Sequence, residues 1–392
     1  MPAVAAQTLK REISFVLKKQ GYRVQRNGLF YLPHDNQEER REEQRRAHEF
    51  AKAERVTQQE DFILDNLELI KAHLIDGKDL EIDKIDPVLI EVKAESKEER
   101  MFRWWNIIWW SLPYERAYGR QMRFIVWDKY HDAPIGLIGL QSPILSWGPR
   151  DKHLGIKTKE RDYWVNQSLN AQRIGALPPY NDILGGKLVT LIMTSDTIRR
   201  KFSRKYGNKK TLLKGRVLPS KLLFITTTGA YGKSSVYGRH LKFNNETVAK
   251  FVDYTQGVGT FHIPNALYED LVLYLKRKGY EVERGYGNGP SRKLRLIDTA
   301  LQLLGFANGI THGIKRALYL FPLASNLGGV IQRGERPKWF RRNIGEMTAH
   351  WKKQWAHPRI EKDKSYLEFN ATNFVKQTLA DLDKYKELYK NL

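Results

Sequence analysis

The chain has 392 residues, with 67 Lys and Arg against 44 Asp and Glu, and a formal charge of +23. Its 41% apolar content is enough for a buried core and excludes a disordered polyelectrolyte, while the absence of cysteine excludes disulfides, thiolate nucleophiles and cysteine zinc sites. No window approaches the roughly 18 uninterrupted apolar residues of a membrane span, and the opening MPAVAAQTLKREISF has no apolar signal region. The expected setting is therefore a reducing cytoplasm, away from membranes.

Residues 5–20 read as an amphipathic helix, with Leu9, Ile13 and Leu17 on one face. Residues 36–57 are a densely charged, solvated helix, and 60–75 a second amphipathic one. Residues 1–82 are thus expected to form a helical N-terminal module. A strand follows at 87–94, then a helix at 97–110 with a charged start and an aromatic end. The four tryptophans of FRWWNIIWW, interleaved with isoleucine at helical spacing, read as core rather than as a stacking platform. The apolar runs 121–128 and 134–141 predict a β-hairpin. A strand over 168–177 stops at Pro178 and Pro179, one long helix is expected over 183–206, and a β-branched strand over 221–228. Helices over 264–280 and 291–305 flank a GYGNGP loop at 285–290. The fold class is mixed α/β, with an α/β body at 83–330 and a basic, aromatic-rich C-terminal extension at 331–392. From 87 to 228 the order of elements resembles the N-acetyltransferase fold, which would place a cofactor pyrophosphate at the turn 181–186.

No complete catalytic motif is found, so enzymatic activity is left open and no cofactor or metal is expected. The run TTTGAYGKSS at 226–235 follows a strand and supplies the Gly-Lys-Ser half of a phosphate loop. Its first glycine position is Thr227, and SVYGRHLKF is a poor helix, so a tight basic turn is the better reading. Glu91 and Lys93 on a strand, with Asp76, Asp79, Asp83 and Asp86 nearby, resemble the metal-holding strand of some nucleases. The turn 181–186 has adjacent glycines where acetyltransferases have Arg/Gln-x-x-Gly-x-Gly/Ala. The ten histidines form no metal-binding pair, and there is no GxSxG elbow.

Charge is unevenly distributed. Residues 1–100 carry 18 basic and 21 acidic side chains, whereas 101–392 carry 49 and 23. The surplus concentrates at 199–216, with nine Lys and Arg and no acid, and at 333–359, with eight Lys and Arg beside three tryptophans. Cations hold phosphates while aromatic faces stack on bases, so both runs point to nucleic acid. The candidate contacts are Arg199, Arg200, Lys201, Arg204, Lys205, Lys209 and Lys210 in the first run, and Trp339, Arg341, Arg342, Lys352 and Lys353 in the second. Arg120, Lys233, Ser234, Ser235 and Arg295 join them as groups able to hold phosphate.

Several long blocks resemble one family. WWSLPYERAYGRQMRFIVWD (109–128), LPPYNDILGG (177–186), FITTTGAYGKSSVYGR (224–239) and GYGNGPSRKLRLIDTALQLLGF with HGIKRALYLFPLASN (285–326) match, in order, the DruA family of the bacterial Druantia anti-phage defence system. The resemblance implies antiviral defence alongside other Druantia proteins, including a helicase-like subunit. It marks Tyr118, Gly119, Arg120, Asp128, Asn181, Gly232, Ser234, Ser235, Arg295 and His312 as positions of interest, without an active site. The leading expectation is a defence component that binds nucleic acid, DNA in preference to RNA, through the basic body. The N-terminal module would dock partners or pair the chain into a homo-oligomer. The alternatives are a divergent acyltransferase or metal-dependent nuclease, and a scaffold for acidic partner proteins.

Overall fold

Helix α1 (Ala6–Lys19) forms where the apolar spacing predicts, burying Leu9, Ile13, Val16 and Leu17 on one face. It belongs to a computed structural model that describes residues 5–33, 37–110, 112, 119–211, 214–230, 232–238, 240–259, 262–283 and 291–390. Tyr118 and the 285–290 loop lie outside the described residues. The charged segment is helix α2 (Gln37–Thr57). The single helix expected over 60–75 is instead two short ones, α3 (Glu60–Asp65) and α4 (Leu67–Lys71). They break at Asn66, whose side-chain amide donates to the Phe62 carbonyl (2.9 Å) and so competes with the helical ladder.

The principal remaining elements follow in chain order. They are β1 (Pro87–Glu91), α5 (Lys97–Ile108), β2 (Gln121–Asp128), β3 (Ala133–Gln141), α6 (Gly148–Leu154), β4 (Ser168–Ala176), α7 (Gly185–Met193) and α8 (Asp196–Tyr206). After them come β5 (Phe224–Thr228), β6 (Lys250–Tyr254), α9 (Asn265–Arg277), α10 (Arg292–Leu303), β7 (Ala317–Pro322), α11 (Leu327–Arg333), α12 (Ile344–Trp351) and α13 (Ala371–Lys390). The long helix expected over 183–206 is divided into α7 and α8. Ser195 ends the first and caps the second, accepting the Ile198 amide on its Oγ (3.4 Å). The Thr-Ser-Asp sequence at 194–196 was the signal for that break.

The strands make a seven-stranded mixed sheet in the order β6-β7-β5-β4-β3-β2-β1. Every neighbouring pair is antiparallel except β4 and β5, which run parallel over only three residue pairs, Ser168 with Phe224 through Asn170 with Thr226. Alternation along β2 sends Phe124 and Val126 to one face and Ile125 and Trp127 to the other. On the first face α7, α8 and α12 close the core with Leu188, Leu191, Phe202 and Trp351. On the second, α5 brings Trp104 and Trp105 against Ile63 and Leu382. Helices α6 and α11 cover β5 and β7 through Leu154, Ile331, Phe224 and Leu320.

These cores draw together segments that are distant in sequence. Helix α1 shares a core with α9 and α10, through Leu9, Ile13, Leu271, Leu275 and Leu301. Helices α2 to α4 pack instead with α5 and α13. A lone amphipathic helix must find a partner for its stripe, and here the partners lie roughly 250 to 300 residues further along the chain, in α9 and α10. The apolar stripe of α1 is therefore covered from within. Trp351, from the 331–392 segment, lies in the main core.

Candidate nucleic-acid interface and an adjoining cleft

Helix α8 is amphipathic in three directions. Ile198 and Phe202 face the core, Lys201 and Lys205 face β1, and Arg200 and Arg204 face solvent. The C-terminal basic run returns to the start of this helix. Asp196 donates its backbone N–H to the Arg342 carbonyl (3.1 Å) and accepts the Arg342 N–H on its carboxylate (3.2 Å). The Arg199 guanidinium lies 4.4 Å from the centroid of the Trp339 ring. Two basic segments more than a hundred residues apart are thereby joined, with Arg341 one residue from the junction. Arg200, Arg204, Lys209, Lys210 and Arg341 are exposed, and none forms an ion pair with a described residue.

Other candidates are used within the fold. Lys201 (3.0 Å) and Lys205 (3.5 Å) both pair with Glu91. Burial works against ionisation of Glu91, but those two lysines hold its carboxyl below the usual range. The same pairing occupies the carboxylate that the nuclease reading needed, and no metal-holding group of three ligands occurs among the described residues. Arg120 donates to the carbonyl and to the side-chain oxygen of Asn166, and its guanidinium rests near the rings of Phe202 and Tyr206. It pins a turn to α8 rather than facing solvent. Arg342, expected to meet nucleic acid, is 3% exposed and donates to the Pro322 carbonyl. Burial lowers its pKa to about 10. It anchors the C-terminal segment to the end of β7, with its side chain out of solvent. Trp339 is half-buried beneath Arg199. Lys352 donates to the Asp83 carbonyl (2.7 Å), while Lys353 is exposed at the far end of α12. Arg295 lies on α10, in the separate core with α1 and α9.

Among the described residues no helix directly follows the loop after β5, as one would in a phosphate loop. Gly232 takes a left-handed φ of +88°, the Ser234 amide donates to Tyr319 Oη (2.9 Å), and the Ser234 Oγ accepts the Val236 amide (3.1 Å). Lys233 sits 5.3 Å from the centroid of the Phe251 ring, and Ser235 is exposed. Asp128 is also structural. It is fully buried and meets Asp86 N, Tyr130 N, Tyr180 Oη and His131 Nδ1 within 3.1 Å.

Beyond their three shared pairs, β4 and β5 diverge. Side chains bridge the start of the wedge, Thr226 Oγ1 donating to Asn170 Oδ1 (3.1 Å) and Thr227 Oγ1 to the Ala171 carbonyl (2.8 Å). A cleft of about 780 Å³ opens there. Trp109, Trp110 and Trp147 line it with Arg173, His312 and Arg316. Of the four tryptophans of 102–110 expected in the core, Trp104 and Trp105 are fully buried there, and Trp109 is half-buried against the same core while also lining the cleft. Helix α5 ends at Ile108, so Trp109 and Trp110 leave its buried face.

An acetyltransferase would hold its cofactor at the N-terminus of α7. In this chain the Gly185 amide donates to Tyr180 O (2.8 Å) and the Lys187 amide to Leu184 O (3.0 Å). Lys187 Nζ reaches the Ser235 carbonyl (3.3 Å), Trp351 Nε1 the Leu184 carbonyl (3.1 Å) and Arg359 Nε the Asp182 carbonyl (3.1 Å). A Cβ on Gly186 would sit 3.7 Å from Val236. The turn is closed by its own chain and does not fit a pyrophosphate, so no step through acetyl-CoA follows.

The family model for the Druantia protein DruA matches residues 38–332. A curated relative, the Druantia protein DruA of Escherichia coli (strain UMEA 4076-1), is 34% identical over 369 residues, covering 93% of this chain and 90% of its own length. The chain belongs to the DruA family. No solved structure matches it. The DruA match takes in the whole sheet and the cleft, while Arg341 and the segment that completes the basic surface lie just beyond it. Of the positions marked by the DruA resemblance, Ser234 and His312 line the cleft, Asp128 and Arg120 hold the fold, and Asn181 is exposed before α7. No helix among the described residues is long and apolar enough to cross a membrane.

Proposed function

We propose that this chain is the nucleic-acid-binding component of a Druantia anti-phage system. It holds DNA in preference to RNA on the basic surface of α8 and the 333–343 segment. It acts with other Druantia proteins, including a helicase-like subunit, in the cytoplasm. The observation that carries this reading is the junction at Asp196 and Arg342, which gathers two separate basic runs around one helix. A polyanion recognised by shape and charge needs such a surface and no catalytic constellation.

Photo-cross-linking tests it. The chain is irradiated with bromodeoxyuridine-substituted duplex and single-stranded DNA and with a bromouridine RNA, and the linked peptides are identified by mass spectrometry. Adducts within 196–216 and 333–343, strongest with DNA, are expected. Efficient cross-linking confined to other segments would refute the interface, and capture of acidic proteins without nucleic acid would favour the scaffold reading instead.

A further inference from the structure

The cleft between β4 and β5 is left unused by the basic-surface reading. We infer that it is a binding site for a nucleoside phosphate unit, with the base held among the indoles and the phosphate toward Arg316. Three properties point there. The volume, about 780 Å³, lies within the range of small-molecule sites, ~300–1,000 Å³. Its described lining contains no Asp or Glu but two arginines, so its field favours an anion. Its apolar surface includes three indoles, of Trp109, Trp110 and Trp147, and planar rings stack on bases of any sequence.

The walls are built and fixed. Gly175 of β4 makes room for Trp109, since a Cβ there would fall 2.3 Å from Trp109 Cη2. Arg173, 3% exposed, donates from Nε to Asn106 Oδ1 (2.6 Å) and places its guanidinium 5.0 Å from the Trp110 ring centroid. Opposite, Thr255 and Arg316 clasp each other through the Thr255 N–H to Arg316 O (2.8 Å) and the Arg316 N–H to Thr255 Oγ1 (2.9 Å). His312 Nδ1 accepts the Ile314 N–H (3.0 Å), so the neutral ring carries its proton on Nε2 as a donor. Hydroxyls of Ser146, Thr228 and Ser234 and the amides of Gln172 and Gln256 complete a surface suited to sugar and base edges.

Such a unit could be a free nucleotide or one residue of a strand. The second source rests on the proposed nucleic-acid function, whereas the first does not. The test uses the full chain and follows tryptophan fluorescence while dAMP, AMP or a twelve-residue single-stranded DNA is added. Two variants act on the cleft, Trp110→Leu and Thr228→Trp, each checked for fold by circular dichroism and melting. A third, with Arg200, Arg204, Lys209, Lys210 and Arg341 all changed to Gln, removes the basic surface alone.

Saturable quenching by a mononucleotide or by the strand is expected. Both cleft variants should weaken it at least tenfold, and the basic-surface variant should leave mononucleotide binding intact. Tighter binding of the mononucleotide than of the strand identifies a free nucleotide as the ligand, and binding of the strand alone identifies a strand residue. Absence of saturable binding by all three probes overturns the inference. So does binding that folded Trp110→Leu and Thr228→Trp proteins retain. Failure of the basic surface alone would show instead as lost duplex affinity with the cleft unaffected.

Discussion

Neutralising the exposed cations of α8 and its neighbour gives the most quantitative test of the interface. Five groups, Arg200, Arg204, Lys209, Lys210 and Arg341, project into solvent without an ion pair to a described residue. If each displaces one condensed counterion from duplex DNA, the logarithm of the binding constant falls with that of salt at a slope of about −4.5. Between 50 and 200 mM salt this is a loss of roughly 500-fold. Changing Arg200 and Arg204 to Gln should make the slope shallower by about 1.8, and changing all five should nearly flatten it. Lys201 and Lys205 provide the internal comparison. Glu91 neutralises one of their two charges, so changing both to Gln should alter the slope by about half as much as Arg200 and Arg204 do. Fluorescence anisotropy with a labelled 20-base-pair duplex across a salt series measures each slope. A slope unchanged in the five-fold variant, or an equal effect from the Glu91-paired lysines, would refute the reasoning.

Other substitutions test the fold around the two surfaces. Ser195→Ala removes the cap of α8 and should lower unfolding free energy by about 1 kcal/mol in denaturant titration. Gly175→Ala should destabilise by ~1–3 kcal/mol and raise the accessibility of Trp109 to acrylamide, because the new methyl meets the indole. Asp128→Ala leaves several buried donors without an acceptor and should cost about 3 kcal/mol, read as a lower Tm. Acid should also weaken the chain. Burial, aided by nearby cationic groups, lowers His48 and His312 to about 3 and His262 to about 4. The unfolded chain, with histidines near 6.5, then takes up more protons, so stability is lost as pH falls from about 6.5 toward 4, by about 2 kcal/mol per histidine at pH 5. Urea titrations at pH 7.5 and pH 5 read this directly, and equal midpoints would contradict it.

Local periodicity carried the fold a long way. The hairpin of β2 and β3 and the helices α1, α9 and α10 lie where alternation and terminal Pro and Gly residues put them. Strands β6 and β7 were not anticipated. Lys250–Tyr254 alternates only weakly on a sheet edge, and Ala317–Pro322 is apolar on both faces, so neither has the period of a half-buried strand. The basic runs were visible as composition, but composition cannot separate Arg200, which faces solvent, from Arg342, which is buried against β7. The Arg342 backbone is held by Asp196, 146 residues away, and its guanidinium by the Pro322 carbonyl. The cleft was harder still. It arises because β4 and β5 part company after three pairs, which is a property of strand geometry and not of any motif. The sequence traces were the DruA-like blocks containing Trp109 and Trp110, Ser234, and His312, all of which line it.

The basic surface and the cleft share a rigid frame, and that sets a limit on how they can influence one another. Ile198 and Phe202 fix α8 in the main core. Ser203 Oγ donates to Ser220 O and Ser220 Oγ to Tyr206 O, both at 2.7 Å, tying the end of α8 to the approach to β5. Strand β5 then supplies Thr227 and Thr228 to the cleft wall. A packed connection of this kind has no second arrangement to shift between, so coupling through the protein should be small. A mononucleotide in the cleft should therefore change duplex affinity by less than about twofold. A single strand long enough to reach both surfaces should behave differently, because the second contact becomes intramolecular and gains from effective concentration. Lengthening an oligonucleotide from four to twenty residues should then raise affinity steeply in the unaltered chain, and only weakly once Trp110→Leu disables the cleft. A steep rise that survives Trp110→Leu would mean that one strand never engages both surfaces, and that the cleft serves a separate, free ligand.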